Sequence, residues 1–372
     1  MVFIHGFILR EQFASGFLIL PTKALDTEYI AVSYHRNETT DYWLPAFDVM
    51  ALFDNTTVTI QTSVQDVRVL QRYEFFHYIP SDDEPLDITG IRLTATRPIS
   101  LMAGHECSII PGPTGKCDSL LKHIPPVSSL GHHFVLAPFL ARSTGYLFRV
   151  IATASDTTQV TISGQTGERL LLSGEFLELN LATDEVVTVS ADRPVMVTQY
   201  AKSDNADIGD GTMVIIPPTE AFSSNVTFPV PHLSEPSRIP GQEAFITIIT
   251  ACENTERAPF FLDNQPLNAQ NASLLQTPDN DYCVIGTSVI PGPAHTVTHP
   301  TSDATFLVLV YDFTYAAGYG FVAGYNIRTA QDFDYEFLPT GNLCKRDLSQ
   351  YTSLYMIYLV NKYHTEKKFL DS

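Results

Sequence analysis

Tryptophan is nearly absent from this chain, which holds one in 372 residues, and cationic side chains are scarce, with 22 Lys and Arg against 41 Asp and Glu. The formal charge of −19 argues against a nucleic-acid partner, because phosphate binding needs clustered Lys and Arg. The acid excess serves solubility instead. Long hydrophobic runs are missing near the end of the chain, where Leu354–Val360 falls well short of the roughly 20 residues of a membrane helix. Met1–Leu9 is apolar but lacks a basic leading region and carries His5, so it does not read as a complete secretory signal. No stretch shows a helical period over twelve or more residues; Ser119–His123 and Leu348–Val360 are short candidates. Cys-x-x-Cys pairs and Cys/His clusters are absent, which disfavours a zinc site, and no cofactor is expected.

What is present is self-similarity. Phe47-Asp-Val-Met-Ala51 runs into Thr57-Val-Thr-Ile60; Phe148-Arg-Val-Ile-Ala152 runs into Gln159-Val-Thr-Ile162; Phe245-Ile-Thr-Ile-Ile249 runs into Pro259-Phe-Phe-Leu262. A second phrase, Arg97-Pro98, returns at Arg193-Pro194, with a fainter echo in Asp303–Val310. The spacings are 160 − 58 = 102 for the valines and 194 − 98 = 96 for the prolines. Within these phrases apolar and polar residues alternate, and Asp-Asn, Ser-Gly and Pro-Gly pairs separate them, which is the pattern of short strands and turns. A fixed period of this size predicts an all-β protein built as a tandem array of three related β-sandwich-like modules. Expected boundaries are 1–115, 116–214 and 215–340, followed by a C-terminal tail, 341–372. Pro125-Pro126 and Pro217-Pro218, at 218 − 126 = 92, stand at the two junctions and predict extended, semi-rigid connections.

Five cysteines sit at 107, 117, 252, 283 and 344. Cys107 and Cys117 bracket a segment with two prolines and two glycines that must turn back, which invites a local disulfide. Cys252 follows one strand and Cys283 lies in another, so a second bridge is expected there. Cys344 is left over, which points to a partner outside the chain. The alternative is five reduced thiols in a cytosolic protein. Four sequons, at Asn37, Asn55, Asn225 and Asn271, favour the extracellular reading.

Few constellations carry chemistry. Asp204, Asp207 and Asp210 place three carboxylates on a glycine-containing loop, a weak candidate for Ca²⁺ that lacks EF-hand spacing and reads mainly as a solvated inter-strand loop. Ser119-Leu-Leu-Lys122 matches a Ser-x-x-Lys pattern without its companion motifs. His295 and His299 suit one metal only on a helix, because four residues along a strand span about 13 Å. His105, His132 and His133 read as packing or hydrogen-bonding residues. Tyr311, Tyr315, Tyr319 and Tyr325, interleaved with glycines, form a candidate surface patch for contact.

Gly104-His-Glu-Cys107 followed by Cys117-Asp-Ser-Leu-Leu-Lys-His-Ile-Pro-Pro-Val-Ser-Ser-Leu-Gly131 resembles the N-terminal region of the IgGFc-binding protein family. Arg193-Pro-Val with Gln199-Tyr200, and Gly209-Asp210 with Met213 and Pro217-Pro218, extend the likeness from about Phe13 to Leu338. The resemblance implies an extracellular, non-enzymatic binding or adhesion module. In that family the region stands at the N-terminus of large secreted proteins, often before von Willebrand factor type D modules. Its implied partner is an extracellular protein or glycoprotein. The competing expectation is a secreted carbohydrate-active enzyme or its accessory domain, which would need two carboxylates roughly 5–9.5 Å apart.

Overall fold

Alternating phrases fold as strands, and their pairing repeats. A computed structural model describes residues 4–9, 13–35, 44–63, 65–81, 84–113, 117–204, 210–233, 244–314 and 317–327. Asn37, Asp207, Tyr315, Cys344 and the tail 341–372 lie outside them. A hairpin of β1 (Ile4–Leu9) and β2 (Ala14–Ile19) comes first. It is followed by β3 (Glu28–Ile30), β4 (Pro45–Ala51), β5 (Thr56–Gln61), β6 (Asp66–Leu70), β7 (Phe75–Tyr78), β8 (Arg92–Ala95), β9 (Ile99–His105) and β10 (Lys122–His123). Next come β11 (Gly131–Leu136), β12 (Tyr146–Ala152), β13 (Thr158–Ile162), β14 (Arg169–Leu171), β15 (Phe176–Leu181), β16 (Val187–Ala201) and β17 (Thr212–Ile216). The last set is β18 (Asn225–Val230), β19 (Ala244–Ala251), a short helix α1 (Cys252–Arg257), β20 (Phe261–Leu262), β21 (Gln265–Pro266), β22 (Ser273–Gln276), β23 (Tyr282–Val289), β24 (Gly292–Thr298), β25 (Phe306–Phe313) and β26 (Gly318–Val322). The protein is all-β, and every described residue falls within one unit, Met1–Ala330. Among the described residues no helix is long and apolar enough to cross a membrane.

One antiparallel scheme runs through all three sets. β4, β12 and β19 each lie between two strands: β7 and β9, β15 and β16, β23 and β25. β5, β13 and β20 each pair with the strand that follows, and with β8, the first half of β16 and β24. Those last three also take β3, β11 and β18 on their other side. In the first two sets the echoed Arg-Pro phrase marks the changeover between the two ladders. A proline has no N–H to give a ladder, so the chain is free to change partners there. At Arg97-Pro98 the strand breaks into β8 and β9, whereas β16 runs through Arg193-Pro194 unbroken and serves both sheets.

The third phrase is displaced by one residue. Tyr200 stands opposite Leu147, and Tyr311 stands opposite Phe245. Ile246, not Phe245, therefore takes the place of Phe148. A one-residue slip turns a side chain to the other sheet face. Phe245 accordingly stacks on Tyr311, with centroids 6.0 Å apart, while Ile246 lies in the core behind it.

The first two cores each continue into the repeat that follows. The cluster around Phe47, Ile60 and Leu93 reaches Leu147, Met196 and Tyr200, and the one around Phe148, Val160 and Val189 reaches Leu309, Tyr311 and Phe313. Arg149 fastens the first seam. Its Nη1 donates to Asp87 (2.8 Å), Thr89 Oγ1 (3.0 Å) and the Ser33 carbonyl (3.1 Å), and its Nε donates to Glu178 (2.8 Å). The guanidinium plane lies over Tyr34 and Phe176. Burial alone would lower its pKa, but Tyr200, Asp87 and Glu178 outweigh that and push it up. The second seam is made differently: Tyr311 Oη accepts from the Leu140 N–H at 2.9 Å and Phe139 packs edge-on against its ring. Removing one partner of a buried ion pair strands the rest, so Arg149→Ala is expected to destabilise the fold by about 3–5 kcal/mol. Thermal or urea unfolding checks this, with Arg193→Ala, half exposed, as the near-neutral control.

Candidate functional site

Four strands meet at one place. β2, β10 and β17 each run into a proline, Pro21, Pro126 and Pro218, that opens a single 3₁₀ turn. The fixed φ of proline suits that entry, and its missing N–H is one the turn would leave unbonded. β2 packs against β10 and β26, and β17 packs against the same two, so the four strands close a circuit. Close approach is possible because Gly16 and Gly320 face it. A Cβ at Gly16 would stand 2.9 Å from Phe321, and one at Gly320 would stand 2.8 Å from Val214. A cavity of about 40 Å³ opens at the junction, lined by Phe17, Leu20, Lys122, Val214, Phe321 and Tyr325 among others.

Lys122 is buried in this junction. Its Nζ donates to the carbonyls of Gly16 (2.5 Å) and Gly320 (3.0 Å) and, more weakly, to Ser15 Oγ (3.3 Å). Burial lowers its pKa to about 7, with the charge of Asp118 acting in the opposite sense. Asp118 is equally buried. Its Oδ1 accepts from the N–H groups of Ala14 (2.8 Å) and Ser119 (2.6 Å), and its Oδ2 from Gly318 (2.5 Å). Burial raises the Asp118 pKa well above the usual carboxylate range despite these donors, and Asp210 adds to the rise. The helix expected over Ser119–His123 is not formed. That segment is extended, because Lys122 and His123 pair with Ala103 and Met102 of β9. The Ser-x-x-Lys spacing therefore brings no hydroxyl of Ser119 to the amine.

Both expected disulfides are formed, Cys107–Cys117 across 10 residues and Cys252–Cys283 across 31. Beside the first, His105 accepts from the Cys107 N–H through Nδ1 (3.1 Å) and faces His35 through Nε2 (3.2 Å). His123 accepts from the Leu20 N–H at 3.1 Å and contacts Ser100 Oγ. Burial lowers His105 to about 3 and His123 to about 4, so both stay neutral in the fold. His132 and His133 contact the Ala191 carbonyl and Ser190 Oγ. His295 lies in β24, and His299 follows that strand with its Nε2 against the carbonyls of Asn254 and Ala258.

Two expectations are corrected here. Asp204 and Asp210 are buried, 1% and 2% exposed, rather than solvated. Asp204 accepts from Ser143 N–H (2.6 Å) and Oγ (2.7 Å), and Arg142 Nη2 donates to the Asp210 carbonyl while its guanidinium covers Phe313. No group of three His, Cys, Asp or Glu side chains suited to a metal occurs among the described residues. Tyr311, Tyr319 and Tyr325 are also buried, at 0%, 0% and 8%, so they form seams and core rather than a surface patch. Tyr319 Oη donates to the Pro231 carbonyl, and burial pushes Tyr311 up to about 12. Asn55, Asn225 and Asn271 are exposed, with Asn55 at a positive φ of 55° in the turn between β4 and β5.

The sequence reading passed over Arg149, Arg142 and His35. Arg149 had a signal, since it stands in the repeated strand phrase where Asp48 stands in the first copy.

The family described as IgGFc binding protein matches residues 15–311. A human protein named IgGFc-binding protein is 26% identical over 220 residues, which is 55% of this chain. The chain spans 4% of that relative. No solved structure matches.

Three outcomes are expected. Intact mass should rise by about 4 Da on reduction, two for each bridge. Lys122 titrates near 7 in the fold and at 10.5 when exposed, so the unfolded chain holds the extra proton between those values and stability rises as pH rises through them. Lys122→Met should lose that rise, read as melting temperature at about pH 7.5 and about pH 9.5. His105 and His123 are protonated more readily when unfolded, so wild-type stability should fall as pH falls from 6.5 toward 4, read by urea unfolding across that range.

Proposed function

The chain belongs to the IgGFc-binding protein family, and from that membership we propose that it is an extracellular, non-enzymatic binding or adhesion module whose ligand is a secreted or cell-surface protein or glycoprotein. The family match over residues 15–311 carries this reading. Two disulfides support the oxidising compartment it requires, and exposed Asn55, Asn225 and Asn271 are suited to carry glycans. The threefold pairing scheme supports an array of three related modules with boundaries near residues 115 and 214 and a third module ending near residue 340. Their variable loops and outer strands are where specificity resides, while the repeated positions fill cores and seams. The acidic surface favours ligands with basic patches over nucleic acid or acidic matrix.

The test is direct binding of the disulfide-intact protein to immobilised immunoglobulin, mucin and matrix glycoproteins by interferometry. Saturable binding to one class, weakened by raised salt, is expected. Absence of saturable binding to all three would sink the reading.

A further inference from the structure

Two turns in neighbouring repeats are built alike. Gln71–Glu74 joins β6 to β7, and Leu172–Glu175 joins β14 to β15. In each, the last residue donates its N–H to the carbonyl of the first, at 3.0 and 2.9 Å, and its carboxylate accepts from the N–H of the first, at 2.8 Å in both. The third residue donates to the carbonyl of Ala51 or Ala152, at 2.8 and 2.9 Å. That third residue has a positive φ in both turns, 79° at Gly174 and 64° at Tyr73. Glycine adopts this conformation at little cost, whereas a bulky side chain is strained in it. Among the described residues the other positive φ values outside glycine fall on Asn, Asp and Ala141. Tyr73 is the one large side chain held this way.

Strain of this kind clusters where a side chain is put to use. No core holds the Tyr73 ring, which is 48% exposed. Exposed Arg72 lies over it at 4.9 Å, and exposed Arg97 lies over half-buried Phe53 at 6.0 Å. Ala51 brings these groups together. Its carbonyl takes the Tyr73 N–H, Phe53 follows it by two residues, and Ile99, two residues after Arg97, stands opposite it in β9. Exposed arginines elsewhere pair with acids, Arg68 with Asp66, Arg193 with Asp156 and Arg257 with Asp303. Arg72 and Arg97 have no carboxylate partner among the described residues. Asp54 and Glu74, in the same two turns, accept from the backbone N–H groups of Arg72 and Gln71 instead. A guanidinium stacked on a ring keeps its N–H edge available to a planar acceptor, and a carboxylate fits that edge bidentately.

We propose that Phe53, Arg72, Tyr73 and Arg97 form a binding site for a glycan that ends in a single carboxylated sugar. The guanidiniums take the carboxylate, and the aromatic rings cover the apolar face of the sugar. The charge of the whole chain narrows the class. At −19 it repels a polyanion, whereas one carboxylate is governed by the two arginines within a Debye length of it. A terminal acidic sugar therefore fits where a sulfated polysaccharide does not. The inference rests on the glycoprotein reading above for the source of the ligand. The two fail separately, because glycoprotein binding that survives substitution of Arg72 and Tyr73 would leave that reading standing and remove this site.

The probe is 3′-sialyllactose, titrated against the full, disulfide-intact chain by ligand-observed NMR. Saturable binding with a dissociation constant on the order of 1 mM is expected. Lactose, which lacks the carboxylate, and a heparin-derived pentasaccharide, which carries many charges, should each bind at least about tenfold more weakly. Arg72→Ala and Arg97→Ala should cost a similar factor, and Arg169→Ala, an exposed arginine of β14, should cost nothing. Tyr73→Gly separates function from folding. It should lose at least about tenfold in affinity while melting about 1–3 °C higher than wild type, because glycine relieves the positive φ. Sialyllactose binding that is absent, or unchanged in the Arg72 and Tyr73 variants, overturns the proposal, as does tighter binding of the heparin fragment. Enzymatic removal of the chain's own N-glycans supplies a further arm, since Gln71 Nε2 donates to Asn55 Oδ1 at 3.3 Å beside the site. Binding that appears only after that removal would overturn an external ligand by showing that a glycan on Asn55 fills the site.

Discussion

One buried ammonium ties together parts of the chain that are far apart in sequence. Lys122 reaches Ser15 and Gly16 of the N-terminal hairpin and Gly320 of the last strand, separations of 107, 106 and 198 residues. Each acceptor is neutral. A lysine held this way gives up hydration without a contacting counter-charge, and burial accordingly lowers its pKa to about 7. Gly16 and Gly320 also let the surrounding strands close in, since a Cβ at either would meet Phe321 or Val214 at under 3 Å. Asp118 does the complementary work with acceptor oxygens, binding N–H groups from Ala14 and Gly318. Together the two residues give the hairpin and the third repeat fixed positions relative to the first.

Much of this was legible as pattern. The strands named from the repeated phrases are strands, and the turn that contains Asn55 adopts the left-handed geometry that Asn tolerates. The two cysteine pairs are bridged as their positions suggested. What pattern conveyed less well was the direction of side chains. The phrase beginning at Phe245 has the same appearance as that at Phe148, yet register sets it one residue out, and periodicity of two cannot reveal such a slip without a partner strand. The tyrosine and glycine stretch looked like surface because glycines usually mark loops. In β26 glycines instead let strands approach, and the tyrosines fill the space beside them.

Burial of charge was the other illegible quantity. Asp204 and Asp210 stand between β16 and β17 in a stretch whose composition is that of a solvated connection, and Arg142 stands between β11 and β12; only tertiary packing, against Ser143 and Phe313 among others, removes them from water. Arg149 shows the same limit from the opposite side. Within a strand phrase a single charged residue reads as a solvent-facing position, but here the face it occupies is covered by Ser33, Tyr34 and Asp87 of the preceding repeat. The two seams solve one packing problem with different chemistry, a guanidinium fork in one case and a phenol with aromatic edges in the other. That divergence hides their equivalence at the level of residue type.

The unbroken course of β16 through Arg193-Pro194 has a mechanical meaning. In the first repeat the sheets are joined by a connection at Arg97-Pro98 that lies outside either ladder. In the second, Val187–Ala201 is laced by hydrogen bonds along both halves, to β11 and β13 on one side of the proline and to β12 and β17 on the other. A displacement of one ladder is therefore passed to the other along a single backbone, with no loop at the crossing to absorb it.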